Sequence, residues 1–251
     1  MTKVSTGGEV VILDSGDYDS FTISKAVSVE AAPGVYAGIT TPAGHAGVTV
    51  NVGTFDVVGI SGLTLRNGGA ANNGITVMAG GLLTIEHCVI DGFAAGDSIN
   101  VQSGHLDLRD STLRGAANGI HFFAVCSICS AADATIDHCR FENNGSGVLL
   151  NGGGRVTVRN SVATQNGLGM AAQADVPTDL NVENCLVAHN RGDGIRSVGA
   201  TTVRVSNSVV TDNAGVGLFQ SGEGFLLSRR NNTIEGNGVD AEGVVGFYTG
   251  H

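Results

Sequence analysis

The sequence predicts an all-β solenoid, a single chain wound into about nine to ten coils of three short strands each. Three observations predict it. From residue 57 onward one motif recurs at spacings of 22 to 28 residues. Within each copy apolar residues alternate or sit in pairs bounded by Gly and Asn, and no stretch carries a helical period. Composition agrees: there are 39 Gly, no Trp and 14% charged residues, against about 25% in an ordinary globular domain. No linker or composition break divides the chain. Residues 1–251 are therefore expected to form one domain, with N-terminal coils over 1–56, regular repeats over 57–237 and a tail or cap over 238–251.

The copies read VGISGLTLRNG, LTIEHCVIDGF, LDLRDSTLRGA, ATIDHCRFENN, VTVRNSVATQN, LNVENCLVAHN, VRVSNSVVTDN and SRRNNTIEGN. Each holds a strand, a corner, a second strand and a Gly/Asn turn that leads into a third. Aligned on the small residue after the corner, one column is Leu63, Cys88, Ser111, Cys139, Ser161, Cys185, Ser208 and Asn232. The position before it is Gly62, His87, Asp110, His138, Asn160, Asn184, Asn207 and Asn231. These types tolerate the left-handed backbone conformation best. Such a residue is needed, because apolar residues such as Ile85 and Ile90 lie an odd number apart. A plain strand with a side-chain period of two cannot bury both. The adjacent His-Cys pairs at 87–88 and 138–139 look like half of a zinc site each, yet the column makes His87 and His138 corner residues.

One step earlier the column is Ser61, Glu86, Arg109, Asp137, Arg159, Glu183, Ser206 and Arg230. Five successive coils alternate in sign, as parallel in-register neighbours ~4.8 Å apart should. The same register places Cys88, Cys139 and Cys185 two coils apart, ~9–10 Å. That is too far for a disulfide or a shared metal. They read as buried small residues with free thiols. No metal or cofactor is expected.

The net charge of −10 gives no basic surface for nucleic acid. No apolar run is long enough to cross a membrane as a helix. The opening MTKVSTGGEV lacks the apolar core of a signal peptide. The chain is therefore expected to be cytoplasmic, or extracytoplasmic if its N-terminus is trimmed.

The repeats, with the opening GGEVVILDSGDYDSFTISKAVSVEAAPG, resemble the single-stranded right-handed parallel β-helix proteins of the pectin-lyase-like superfamily, many of them bacterial. The resemblance covers nearly the whole chain. It implies carbohydrate binding, and a lyase, hydrolase or epimerase if the protein is an enzyme. It also implies an N-terminal capping helix, for which only about eight residues precede the first strand; the uncapped end is then a place for self-association. Near the other end Arg229 falls where an inward apolar residue belongs, so a bulge or cap is expected there.

By the same resemblance, an extended polysaccharide lies along the outer face of the strand after the Gly/Asn turn. Those strands read GITVM, SINVQ, GIHFF, GVLLN, GMAAQ, GIRSV and GLFQS. Their outward columns are Thr76, Asn100, His121, Leu149, Ala171, Arg196, Phe219 and Met78, Gln102, Phe123, Asn151, Gln173, Val198, Ser221. Neither column holds the stacked carboxylates of calcium-dependent pectate lyases. Long connections at 124–134 and 174–179 flanking a short one at 151–155 predict a cleft. Its catalytic candidates are His121, Arg155, Asp175 and Asp179, a set able to transfer protons. Asn100, Gln102, Phe123, Leu149, Asn151, Gln173 and Arg196 are the substrate-binding candidates. Cys126 and Cys129 form a lone C-x-x-C, weak as a metal or redox motif. His105, His189 and His251 join no constellation. Two sequon-like triplets, at Asn144 and Asn231, coincide with turn positions.

The function expected is binding or modification of polysaccharide along that face. The alternatives are a non-catalytic structural or adhesion scaffold that self-associates through its uncapped end, and a small-molecule isomerase or cyclase.

Overall fold

The computed structural model describes residues 3–70, 72–123 and 132–249. Among them there is no helix. The chain coils into a parallel β-solenoid of about nine turns, each built from a first, a second and a third strand. One turn consists of Leu82–Glu86, Val89–Asp91 and Asp97–Val101; the next of His105–Arg109, Thr112–Arg114 and Asn118–Phe122. Each strand pairs in parallel with its counterpart one coil away, as in Glu86↔Arg109, Ile90↔Leu113 and Ile99↔Ile120. The second strands stack into a 10-stranded ladder. The first and third ladders are counted as one 19-stranded sheet, because Leu168–Glu183 and Ile195–Ser206 run through both.

Two left-handed corners hold each coil. The first has positive φ at Gly62, His87, Asp110, His138, Asn160, Asn184 and Asn207, as the column predicts. The second has it at Gly92, Gly115, Asn143, Gln165, His189, Asp212 and Gly236. Each resets side-chain parity, so Ile85, Ile90 and Ile99 are all fully buried. In the last regular coil the expectation fails by one residue: the left-handed position is Arg230, not Asn231. Register explains it. Val205 pairs with Ser228 while Val209 pairs with Thr233, so one extra residue enters between them. Ser228 takes the inward place and Arg229 is exposed, correcting the inward assignment and bearing out the bulge.

The core is a stack of aliphatic rows, with size traded between coils where Phe141 pairs with Ala163. Both corners are lined by buried polar ladders. At the first, the backbone N–H of Cys88 donates to Ser111 Oγ, that of Cys139 to Ser161 Oγ and that of Cys185 to Ser208 Oγ, each at 3.1 Å. Burial pushes the thiols of Cys88 and Cys139 up to about 12 and that of Cys185 up to about 11, so they stay protonated and unreactive. None of the three is in a disulfide; Cys126 and Cys129 lie outside the described residues.

At the second corner, Asn144, Asn166, Asn190 and Asn213 are buried one above another. The backbone N–H of each donates to the side-chain oxygen of the next, at 2.9–3.1 Å. Each Nδ2 also donates to a second-strand carbonyl, those of Leu113, Phe141, Ala163 and Val187. Asn144 is therefore closed to glycosylation in the folded chain. On the first ladder the charge column is in register from Glu86 to Glu183. Arg159 meets Asp137 at 2.9 Å and Arg109 lies 3.9 Å from Glu86, while Arg109 also binds Asp107 on its own strand.

Candidate functional site

The third ladder presents its outer column in the expected register. Asn100 pairs with Thr76 and His121, His121 with Leu149, Leu149 with Ala171, Ala171 with Arg196, and Arg196 with Phe219. His121 and Arg196 are thus three rungs apart. The parallel stack also gathers a cluster at one end of this column. Asp97 opens its strand, with its backbone N–H donating to Asn73 Oδ1 at 2.9 Å. Its carboxylate accepts from Asn118 Nδ2 at 2.7 Å on one oxygen and from Asn100 Nδ2 at 2.7 Å on the other. That second oxygen is also 3.0 Å from His121 Nδ1. Asp97 and His121 are largely buried, with side chains 9% and 15% exposed.

Burial opposes ionisation of Asp97, yet the hydrogen bonds from His121, Asn100 and Asn118 outweigh it and hold its carboxyl below the ordinary aspartate value. A neutral imidazole whose Nδ1–H points at this carboxylate has its lone pair on Nε2. Nε2 is buried and has no hydrogen-bond partner among the described residues. Buried polar atoms are nearly always paired, so Nε2 is open to a partner that the described residues do not supply. The ring of Phe123 stands 5.5 Å away, tilted by 47°, and Phe123 itself is exposed.

The repeats place this cluster in a recognisable molecule, since a family model described as "Right handed beta helix region" matches residues 73–239. The chain belongs to the right-handed β-helix family. Two solved structures share its architecture. The A-module of the mannuronan C-5 epimerase AlgE4 of Azotobacter vinelandii superposes with a TM-score of 0.61 at 14% identity, over 98% of this chain and 91% of that one. An alginate lyase of Paenibacillus sp. str. FPU-7 does so with 0.50 at 13% identity, over 100% and 93%. No curated protein matches by sequence. The right-handed parallel β-helix expected from the repeats is therefore shown.

The β-helix divides the cleft expected from loop lengths. Residues 174–179 are not a tall loop but the middle of the strand Leu168–Glu183, which stays paired with its neighbour apart from a register shift between Ala174 and Thr178. Residues 132–134 belong to the strand Ala132–Asp137, and 124–131 lie outside the described residues. His121, Phe123, Leu149 and Asn151 sit on the third ladder. Gln102 donates to Asn100 Oδ1 at 3.3 Å; Gln173 is half-buried and Asp175 exposed in the irregular stretch. Arg155 and Asp179 lie on the first ladder, in register with each other. They line a cavity of about 260 Å³ with Asp133, Gly154 and Pro177, and His121 is not among its lining residues. Arg196 is stacked over Phe219 at 4.7 Å and lies 3.6 Å from Asp193.

Sequence reasoning missed Asp97, Asn118 and Asp133. The signal for the first two was present: Asp97 and Asn100 are three apart, as are Asn118 and His121, one coil later. Among the described residues no group of three or more His, Cys, Asp or Glu gathers to hold a metal ion, and no helix is long and apolar enough to cross a membrane.

Proposed function

We propose that this β-helix binds and modifies polysaccharide along the outer face of its third ladder, with Asp97 and His121 as its proton-transfer centre. The observation that carries the reading is the Asp97–His121 contact of 3.0 Å beside a buried Nε2 that has no partner among the described residues. Nε2 accepts a proton from a bound sugar, and the imidazolium so formed is held against the Asp97 carboxylate. Asn100 and Asn118 fix that carboxylate, and the exposed ring of Phe123 beside the imidazole offers a face for the sugar to pack on. Half-buried Leu149 offers a low apolar floor for the chain beyond, while Ala171 on the next rung is fully buried. Two proteins of the same architecture, one named for mannuronan epimerisation and one for alginate lysis, support polysaccharide as the ligand class.

The test is incubation with alginate, pectate and neutral glucans, followed by ultraviolet absorbance for unsaturated ends and proton NMR for altered sugar configuration. His121→Gln should lower any turnover by about 10²–10⁴-fold, with circular dichroism and polymer retention in affinity electrophoresis unchanged. Full turnover in that variant would remove the dyad from the mechanism. Absence of both turnover and retention across the polymers would end the polysaccharide reading.

A further inference from the structure

The cavity around Arg155 lies off the face assigned above, and its chemistry differs. It is built on the leading positions of three successive first strands: Asp133 pairs with Arg155 and Arg155 with Asp179. An arginine on the rung between two aspartates would ordinarily pair with one of them. Here each carboxylate has one oxygen engaged elsewhere. Asp133 Oδ1 accepts the backbone N–H of Arg155 at 3.1 Å, and Asp179 Oδ1 accepts from Arg204 at 2.8 Å. Among the described residues the Arg155 guanidinium has no ion pair. Both carboxylates are thus held in place with a second oxygen open, and the exposed side chain of Arg155, on the rung between them, keeps its donors unspent. The remaining walls are stiff: Pro177, and Gly154, where a Cβ would meet Ala132 O at 2.1 Å.

We infer that this cavity is a second carbohydrate subsite, which takes one neutral pyranose unit through a vicinal diol. It rests on the polysaccharide reading and deepens it by adding a site separate from the dyad. A hydroxyl both donates and accepts, so each of two neighbouring hydroxyls can give its proton to a carboxylate and accept from Arg155. The distances agree. Two hydrogen bonds of ~2.7 Å and an O–O gap of about 3 Å span roughly 8–9 Å, against ~9.6 Å for two rungs of a parallel sheet. The cavity of about 260 Å³ holds a single ring. An acidic sugar would satisfy Arg155 but would place its carboxylate between two others, so a neutral ring is the better fit.

The experiment is saturation-transfer NMR on the whole chain with methyl β-D-glucopyranoside, methyl α-D-mannopyranoside and sodium glucuronate as probes. Transfer from a methyl glycoside that falls at least tenfold in Arg155→Met and in Asp133→Asn, but persists in His121→Gln, supports the subsite. Circular dichroism confirms that each variant is folded. Transfer lost in His121→Gln and kept in Arg155→Met would overturn it and leave the third-ladder reading standing. Transfer from glucuronate alone would overturn the neutral class. No transfer from any probe would overturn the subsite, while the polymer assays above decide the wider reading separately.

Discussion

His138 stands at φ 52°, a conformation that costs a residue with a Cβ roughly 1–2 kcal/mol. Its imidazole meets the neighbouring Asp137 at 2.9 Å, so two effects meet at one corner. If backbone conformation governs the position, His138→Val lowers stability by about 1–2 kcal/mol and His138→Asn leaves it within about 0.5 kcal/mol. Urea midpoints separate them; equal losses in both variants would mean that the contact with Asp137 matters instead. Asp97 makes a prediction in pH. Its folded-state pKa is depressed, so it contributes stability above the unfolded aspartate value of about 3.9, and that contribution is lost as pH falls through the folded value. The stability gap between the native chain and Asp97→Asn should therefore be widest near neutrality and close below about pH 4. Denaturation curves at pH 7, 5 and 3 measure it; a gap constant across that range would contradict the assigned ionisation.

At the scale of the element, the asparagine ladder stabilises the second corner by leaving no buried amide unpaired. Asn166 Oδ1 accepts from both the backbone and the side chain of Asn144, while its Nδ2 donates to Phe141 O and Asn190 Oδ1. Asn166→Ala removes these at once and strands donors on Asn144. With each stranded buried group costing about 1–3 kcal/mol, a total loss of about 3–5 kcal/mol is expected in chemical denaturation. A loss below about 1 kcal/mol would show that water replaces the amide.

Elements also mark how far the sequence could be read. The first corner was legible because Gly, Asn, Asp and His share one backbone preference, which a column of residue types displays directly. The same Asn residues at the second corner could be recognised as turn formers, but not as buried, since burial depends on coil closure. The stretch through Pro177 suggested a loop for a sound local reason. Yet it continues as strand, because the third and first ladders meet there and a register shift absorbs the proline. The site divided likewise: His121 was found from its column, whereas Asp97 was overlooked because position 97 lies outside the columns chosen as the outer face.

For the whole molecule, stability is a sum over coils and the contacts between them. Two of its columns repeat every second coil: Cys with Ser in the interior, carboxylate with guanidinium outside. Deleting residues 138–183 joins Asp137 to Asn184 at equivalent corner positions and preserves both alternations, with Cys185 brought beside Ser111. The shortened chain is expected to fold into a cooperative solenoid whose circular dichroism has the native shape. A chain that stays unfolded would show that the deleted coils are needed for the rest to form. The left-handed first corner keeps one length from the Ile60–Leu65 coil to the Val205–Val210 coil, whereas the second connection varies, since Leu113 and Ile120 lie closer in sequence than Ile90 and Ile99. The passage from a third strand to the next first strand varies most. It does so here, from the continuous strand through Ala174 to the tight Asn151–Gly154 segment. New chemistry is therefore grafted onto this molecule most readily along that edge, and both the dyad and the Arg155 cavity border it.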